Sequence, residues 1–201
     1  MRSHPESDPA IDPPSAETSK VELPAQKEGW RPSLLIGQVL LVSSRSSRGE
    51  PNAARKSWVS MVCSDPPMVG LACRLSHRTA INVLETREFV INVPGEEIAA
   101  RVLAAGDTVA ALDAPQAGGW TFIDARRVAA PRVAECRGHI ECALEATHRL
   151  AGEEVLFIAR VLAVSADGAL LEGSAAARYA SLRPIFALEA GLIAPLGPAK
   201  T

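Results

Sequence analysis

Aromatic side chains are scarce in this 201-residue chain: four Phe, three Trp and one Tyr, or 4% of the whole. That excludes a surface on which successive nucleobases stack. A charge excess of either sign is also missing. The 21 Lys and Arg are balanced by 23 Asp and Glu, a formal net charge of −2. No basic field exists to draw the chain to nucleic acid or to an anionic bilayer. Long apolar runs are absent. The longest, residues 34–42, is interrupted by Gly37 and Gln38 and falls well short of the roughly 20 residues that span a bilayer. The N-terminus lacks the cationic, apolar and small-residue succession of a signal peptide. A soluble, cytoplasmic protein with no membrane contact is therefore expected.

The four cysteines, Cys63, Cys73, Cys136 and Cys142, include no C-x-x-C pair, and the four histidines complete no zinc spacing. We expect reduced core cysteines and no metal. The histidines stand far apart, and His139 and His148 read as strand-surface residues. No Ser/His/Asp arrangement and no carboxylate pair at motif spacing is visible.

What is present is a sizeable apolar fraction, 47%, enough for one core. Residues 1–28 carry five prolines, scattered acids and serines, and no apolar periodicity. They read as a disordered tail, with one domain over 29–201. Short apolar runs bounded by breakers predict strands over 34–44, 53–63, 68–75 and 88–94. Further strands are predicted over 138–147 and 154–165, with brief ones near 120–123, 170–171 and 184–188. Short helices are predicted over 79–86, with Ile81 and Leu84 on one side, and over 96–105, stopped by Gly106. Hairpin connections dominate, and helices long enough to link parallel strands are absent. The pattern favours an antiparallel barrel with small external helices.

Between the strand at 68–75 and the helix at 79–86 sits Ser76-His77-Arg78-Thr79. A helix opened by these residues can hold an anion: its first N–H groups lack intrahelical acceptors, its dipole is positive there, and hydroxyls and a cation flank it. The plainer alternative is that Thr79 only caps the helix.

These pieces, in order, resemble the flavin reductase-like, FMN-binding split-barrel family. The matching residues are Asn52, Ser57-Trp58, Asp65-Pro66-Pro67 with Met68 and Val69, Ser76 and Thr79, and the run Glu88-Phe89-Val90-Ile91-Asn92-Val93-Pro94. Residues 131–142 and 155–161 look like the family's later paired strands. The resemblance implies a mainly β, six-stranded antiparallel split barrel with a few short flanking helices. It implies a homodimer with FMN, or alternatively FAD, at the subunit interface. Asn52, Ala53, Ala54, Ser57, Trp58 and Val59 would lie near the flavin ring, and Ser76, His77, Arg78 and Thr79 would hold the phosphate. The phosphate cation could be residue 77 or 78. Arg55 and Lys56 stand where relatives usually have small or apolar residues. Either could place a cation beside the flavin pyrimidine edge, or both could be solvated charges on an edge strand. Trp58 and Trp120 are expected in the core or at the dimer contact.

The activity implied is NAD(P)H-dependent flavin reduction, with NAD(P)H as co-substrate and an oxygenase or another electron acceptor as partner. Two alternatives use the same motifs: an FMN electron carrier inert to nicotinamides, and a flavin-free interaction protein on the same barrel. Without a G-x-G-x-x-G unit, NADH and NADPH are not distinguished.

Overall fold

The computed structural model describes residues 35–105, 119–188 and 192–197. The predicted tail and the helix stop at position 106 lie outside them.

The run predicted as one strand over 34–44 divides into β1 (Gly37–Gln38) and β2 (Leu40–Arg45). The apolar character of residues 39–42 has a direct cause, because both faces are covered. Leu40 and Val42 enter one core with Leu71, Phe89, Ile91 and Phe157. Val39 and Leu41 enter a second with Val102, Trp120, Val133 and Ile185. A strand buried on both sides cannot show polar alternation.

The strand predicted over 53–63 is also two strands, β3 (Pro51–Lys56) and β4 (Val59–Ser64). After it come β5 (Pro67–Arg74), helix α1 (Arg78–Thr86) and β6 (Glu88–Val93). A 3-10 turn at Glu96–Ile98 leads into α2 (Ala99–Ala104). The short β7 (Phe122–Ile123) and β8 (Arg132–Val133) pair with each other. The long hairpin β9 (Gly138–Arg149) and β10 (Glu154–Ala166) follows. Residues 168–170 form a 3-10 turn instead of the strand predicted near 170–171. Beyond it lie α3 (Ala175–Leu182), capped by the Ser174 hydroxyl accepting from the Ala177 N–H, then β11 (Ile185–Ala187) and β12 (Ile193–Pro195). Sequence periodicity missed α3 and β12.

The main sheet has seven strands in the order β3-β2-β6-β9-β10-β5-β4, every pairing antiparallel. Its two outermost strands, β3 and β4, are consecutive in the chain. Only Ser57 and Trp58 separate them. The far edges of one sheet therefore meet end to end, which requires the sheet to roll up. This is the split barrel, with seven main strands where the resemblance implied six. A second sheet, β1-β11-β12, packs outside it. At the join, a Cβ on Gly37 would stand 2.4 Å from the Ser57 carbonyl oxygen, so only glycine lets β1 pass the corner. Among the described residues no helix is long and apolar enough to cross a membrane.

Buried polar groups fasten the outer segments to the barrel. The Glu141 carboxylate, almost fully buried, accepts the N–H of Arg127 at 2.7 Å and that of Arg126 at 3.0 Å. His139 is buried too, against the surface position expected for it, whereas His148 is exposed. The His139 Nε2–H donates to the Val133 carbonyl at 2.9 Å, and Nδ1 lies 3.3 Å from the Ser165 hydroxyl. Burial pulls the His139 pKa below its ordinary 6.5, outweighing the Val133 carbonyl that favours the charged ring. Unfolding then takes up a proton, so His139 contributes stability above pH 6.5 that is lost as pH falls through the folded value. The thermal midpoint should drop between pH 7.5 and pH 5.5, and His139→Gln should flatten that drop. Equal slopes in the two proteins would remove His139 as the cause.

Candidate functional site

Strand β3 pairs only with β2 among the described strands, at one end of the main sheet's strand order. Its alternation puts Asn52, Ala54 and Lys56 on one face and Ala53 and Arg55 on the other. Ala54 and Lys56 are buried, Arg55 is half-buried, and Ala53 packs against the second core. Arg55 and Lys56 therefore project to opposite faces. Lys56 is not a solvated edge charge, because it is only 4% exposed. It lies at the head of α1, with Nζ 3.4 Å from His77 Nδ1.

Helix α1 carries Thr79, Ala80, Asn82 and Val83 on its buried face. The predicted apolar side was wrong: Leu84 is exposed and Ile81 is half-buried at a surface groove. Small Ala80 and Val83 fit the narrow space over the barrel core, while Thr79 and Asn82 supply polarity there. Thr79 is not a cap either. His77 holds the N-cap position in extended conformation, makes no side-chain cap, and no acid stands in the first turn.

Strand and helix are tied at a second point. Asn52 faces Ser44 across the β2–β3 ladder, and Asn82 Nδ2 donates to the Ser44 hydroxyl at 3.0 Å. Around this contact the Asn52 amide nitrogen, the Thr79 hydroxyl and the Asn82 amide oxygen are buried with no hydrogen-bond partner among the described residues. Such groups cost about 1–3 kcal/mol each when left unpaired, and three on neighbouring elements make this a polar spot that ordered water or a polar ligand can satisfy. Two donors beside an uncapped helix head suit a phosphoester.

The other predicted residues are placed as follows. Ser76 is exposed and Ser57 half-buried in the β3–β4 corner, while half-buried Val59 packs on the main core. Arg78 faces outward, lining a groove of about 280 Å³ with Ser46, Arg48, Glu50 and Glu85. Trp58 is 64% exposed, which removes it from the core, whereas Trp120 is in the core with Arg101 over its ring at 4.2 Å. The β9–β10 turn reaches the same loop, where the Leu75 N–H donates to the Glu153 carbonyl at 2.8 Å. Sequence reasoning missed Asn82 and Ser44. The available signal was the Thr79–Asn82 spacing of three, which puts both on one helix face. Three of the cysteines are buried, and burial raises the Cys136 and Cys142 thiols to about 12, so neither forms a thiolate near neutrality.

A model of the flavin reductase like domain matches residues 33–181. The chain belongs to this family. An uncharacterized protein of Pyrococcus abyssi is 32% identical over 146 residues, 73% of this chain and 83% of that protein. The flavoredoxin of Methanosarcina acetivorans superposes with a TM-score of 0.78 at 18% identity, covering 91% of this chain and 94% of that one. Nitrilotriacetate monooxygenase component B from Bacillus cereus superposes with a TM-score of 0.72 at 25% identity, covering 84% and 89%. The flavin reductase-like chain thus has its split barrel in common with a flavoredoxin and with a monooxygenase component.

Proposed function

We propose that the protein is an NAD(P)H-dependent flavin reductase that uses FMN. The observation carrying this reading is the set of unpartnered buried groups, Asn52 Nδ2 and Thr79 Oγ1, beside the uncapped head of α1. Thr79, with the N–H groups of the first turn, would hold the phosphate, and Asn52 would reach the ligand from the strand. Strand β3 and the Ser57-Trp58-Val59 corner would lie along the ring. When bound, flavin accepts a hydride at N5 from reduced nicotinamide and passes the electrons on. The chain's own contribution is to position it, exclude water on one face and neutralise the phosphate. The monooxygenase component among its structural relatives supports an oxygenase, or another acceptor, as the recipient of reduced flavin.

A second copy of this chain is the proposed partner. Gly70 leaves Val62, Leu156 and Ile158 grouped on the outer face of the sheet, and exposed Trp58 and Met61 extend the apolar surface along the same edge. Light scattering showing only a single-protomer mass would remove the dimer.

Activity is tested by mixing the purified protein with FMN and either nicotinamide. Loss of absorbance near 340 nm, abolished when FMN is left out, is the expected result. A protein that binds FMN yet consumes neither NADH nor NADPH would be an electron carrier instead.

A further inference from the structure

The second sheet is short, yet its register fixes what each side carries. Val39, Ile185, Ala187 and Ile193 point inward to the second core. Gln38 pairs with Phe186, and Phe186 with Ala194, so these three share the other side. Alternation adds Ile36, two residues before Gln38, and Leu188, two after Phe186. The ladder runs past the strand ends. The Leu188 N–H donates to the Leu192 carbonyl at 2.8 Å, and the Leu196 N–H to the Pro184 carbonyl at 2.9 Å. Leu192 and Leu196 therefore fall on the same side as Ala194. The outward face reads Ile36-Leu188-Leu192, then Gln38-Phe186-Ala194, then Leu196.

We infer that this face is a contact between two copies of the chain, separate from the barrel-face contact. It does not depend on the flavin reading.

The outward side of an antiparallel sheet is ordinarily polar, because water covers it. Here Gln38 is the one polar member, and none is charged. Ile36 is 59% exposed, Leu192 64%, Leu196 46% and Leu188 40%. Such a face leaves on the order of 500 Å² in water, near the top of the range for the largest patch on an ordinary monomer. Paired with a copy of itself it would bury on the order of 1,000 Å² in total, the size at which a specific contact holds. A two-fold contact asks only that a surface complement itself. With no charge on the face, no like charges meet across the axis, and two sheets can stack with their apolar side chains interdigitated.

The edges of the sheet exclude a different mode of contact. Pro195 removes a donor from β12, and the Ser57 carbonyl closes on β1 at Gly37. An added strand finds a poor ladder on either side, so the occupant lies on the face.

The test is the solution mass of the full-length protein by light scattering, with circular dichroism to establish folding. Two separate faces predict a closed assembly of four copies. Leu192→Lys and Ile36→Lys, at positions where a lysine stays solvated, should each halve the mass and keep the thermal midpoint. Met61→Lys, on the barrel face, should halve it too, and combined with Leu192→Lys should leave single protomers. The inference is overturned if folded Leu192→Lys and Ile36→Lys keep the wild-type mass, the result expected if a different protein covers the face. A wild type of single-protomer mass overturns it as well. If the mass halves with Leu192→Lys but not with Met61→Lys, the inference stands and the barrel-face dimer falls.

Discussion

Replacing Thr79 with valine should move two measurements in opposite directions. Valine has nearly the same shape and a similar helix propensity, so the packing of α1 on β2 is kept. What disappears is a fully buried hydroxyl with no partner. Removing an unsatisfied polar group relieves its desolvation cost, so the ligand-free protein should gain about 1 kcal/mol. The same hydroxyl is one of the donors proposed for the phosphate, so FMN should bind roughly tenfold more weakly. Urea denaturation of the ligand-free protein and fluorescence titration with FMN read the two effects separately. A loss of stability would mean that the hydroxyl serves the fold. Unchanged FMN affinity would remove Thr79 from the site.

Asn92→Asp should damage the fold more than Asn92→Ala, although aspartate is almost isosteric with asparagine. Asn92 is fully buried at the centre of a polar network that joins β2, β6 and β8. Its Nδ2 lies within reach of the Leu41 carbonyl at 3.1 Å, the Ser43 hydroxyl at 2.8 Å and the Val90 carbonyl at 3.2 Å. Its Oδ1 accepts the Val133 N–H at 2.8 Å. Alanine leaves these groups unpaired, at about 2–3 kcal/mol. A carboxylate would also turn a second oxygen toward two carbonyls and bury a charge, so the cost should exceed about 3 kcal/mol near neutrality. Burial would raise the folded pKa of the introduced acid above its unfolded value. The acid variant should then be best tolerated at low pH and lose stability as pH rises through that value. Urea midpoints of the two variants should therefore converge toward pH 5. If Asn92→Asp equals Asn92→Ala at pH 7.5, the network is not the strict donor site that its distances describe.

Several elements were legible because their cause is local. The apolar run 39–42 and the run 88–93 announce strands covered on both sides, and both are central in the sheet. The loop carrying Gly49 and Pro51 is the β2–β3 hairpin, with Arg45 opposite Pro51. The Ser76–Thr79 segment opens a helix one residue earlier than predicted.

Other elements were not legible, each for a physical reason. Nothing in Arg55-Lys56-Ser57-Trp58-Val59 interrupts a strand pattern. The break there is imposed by closure, as the chain leaves β2 and joins β5 with the Ala72 N–H donating to the Trp58 carbonyl at 2.9 Å. Hydrophobicity alone points to Ile81 and Leu84 as the inner side of α1. The space available over β2 admits the smaller and more polar face instead.

The chain's own pattern of apolar runs and breakers therefore determined the strands, their antiparallel hairpins and the helix that opens at residues 76–79. Those depend on periodicity and turn chemistry within a few neighbouring residues. The seventh strand, the end-to-end meeting of β3 and β4, and the convergence of Lys56 and Asn52 with His77, Thr79 and Asn82 were decided only in three dimensions. Residues 21 positions apart such as Lys56 and His77 come together because the sheet rolls up and α1 packs across it, and that closure is a property of the whole core.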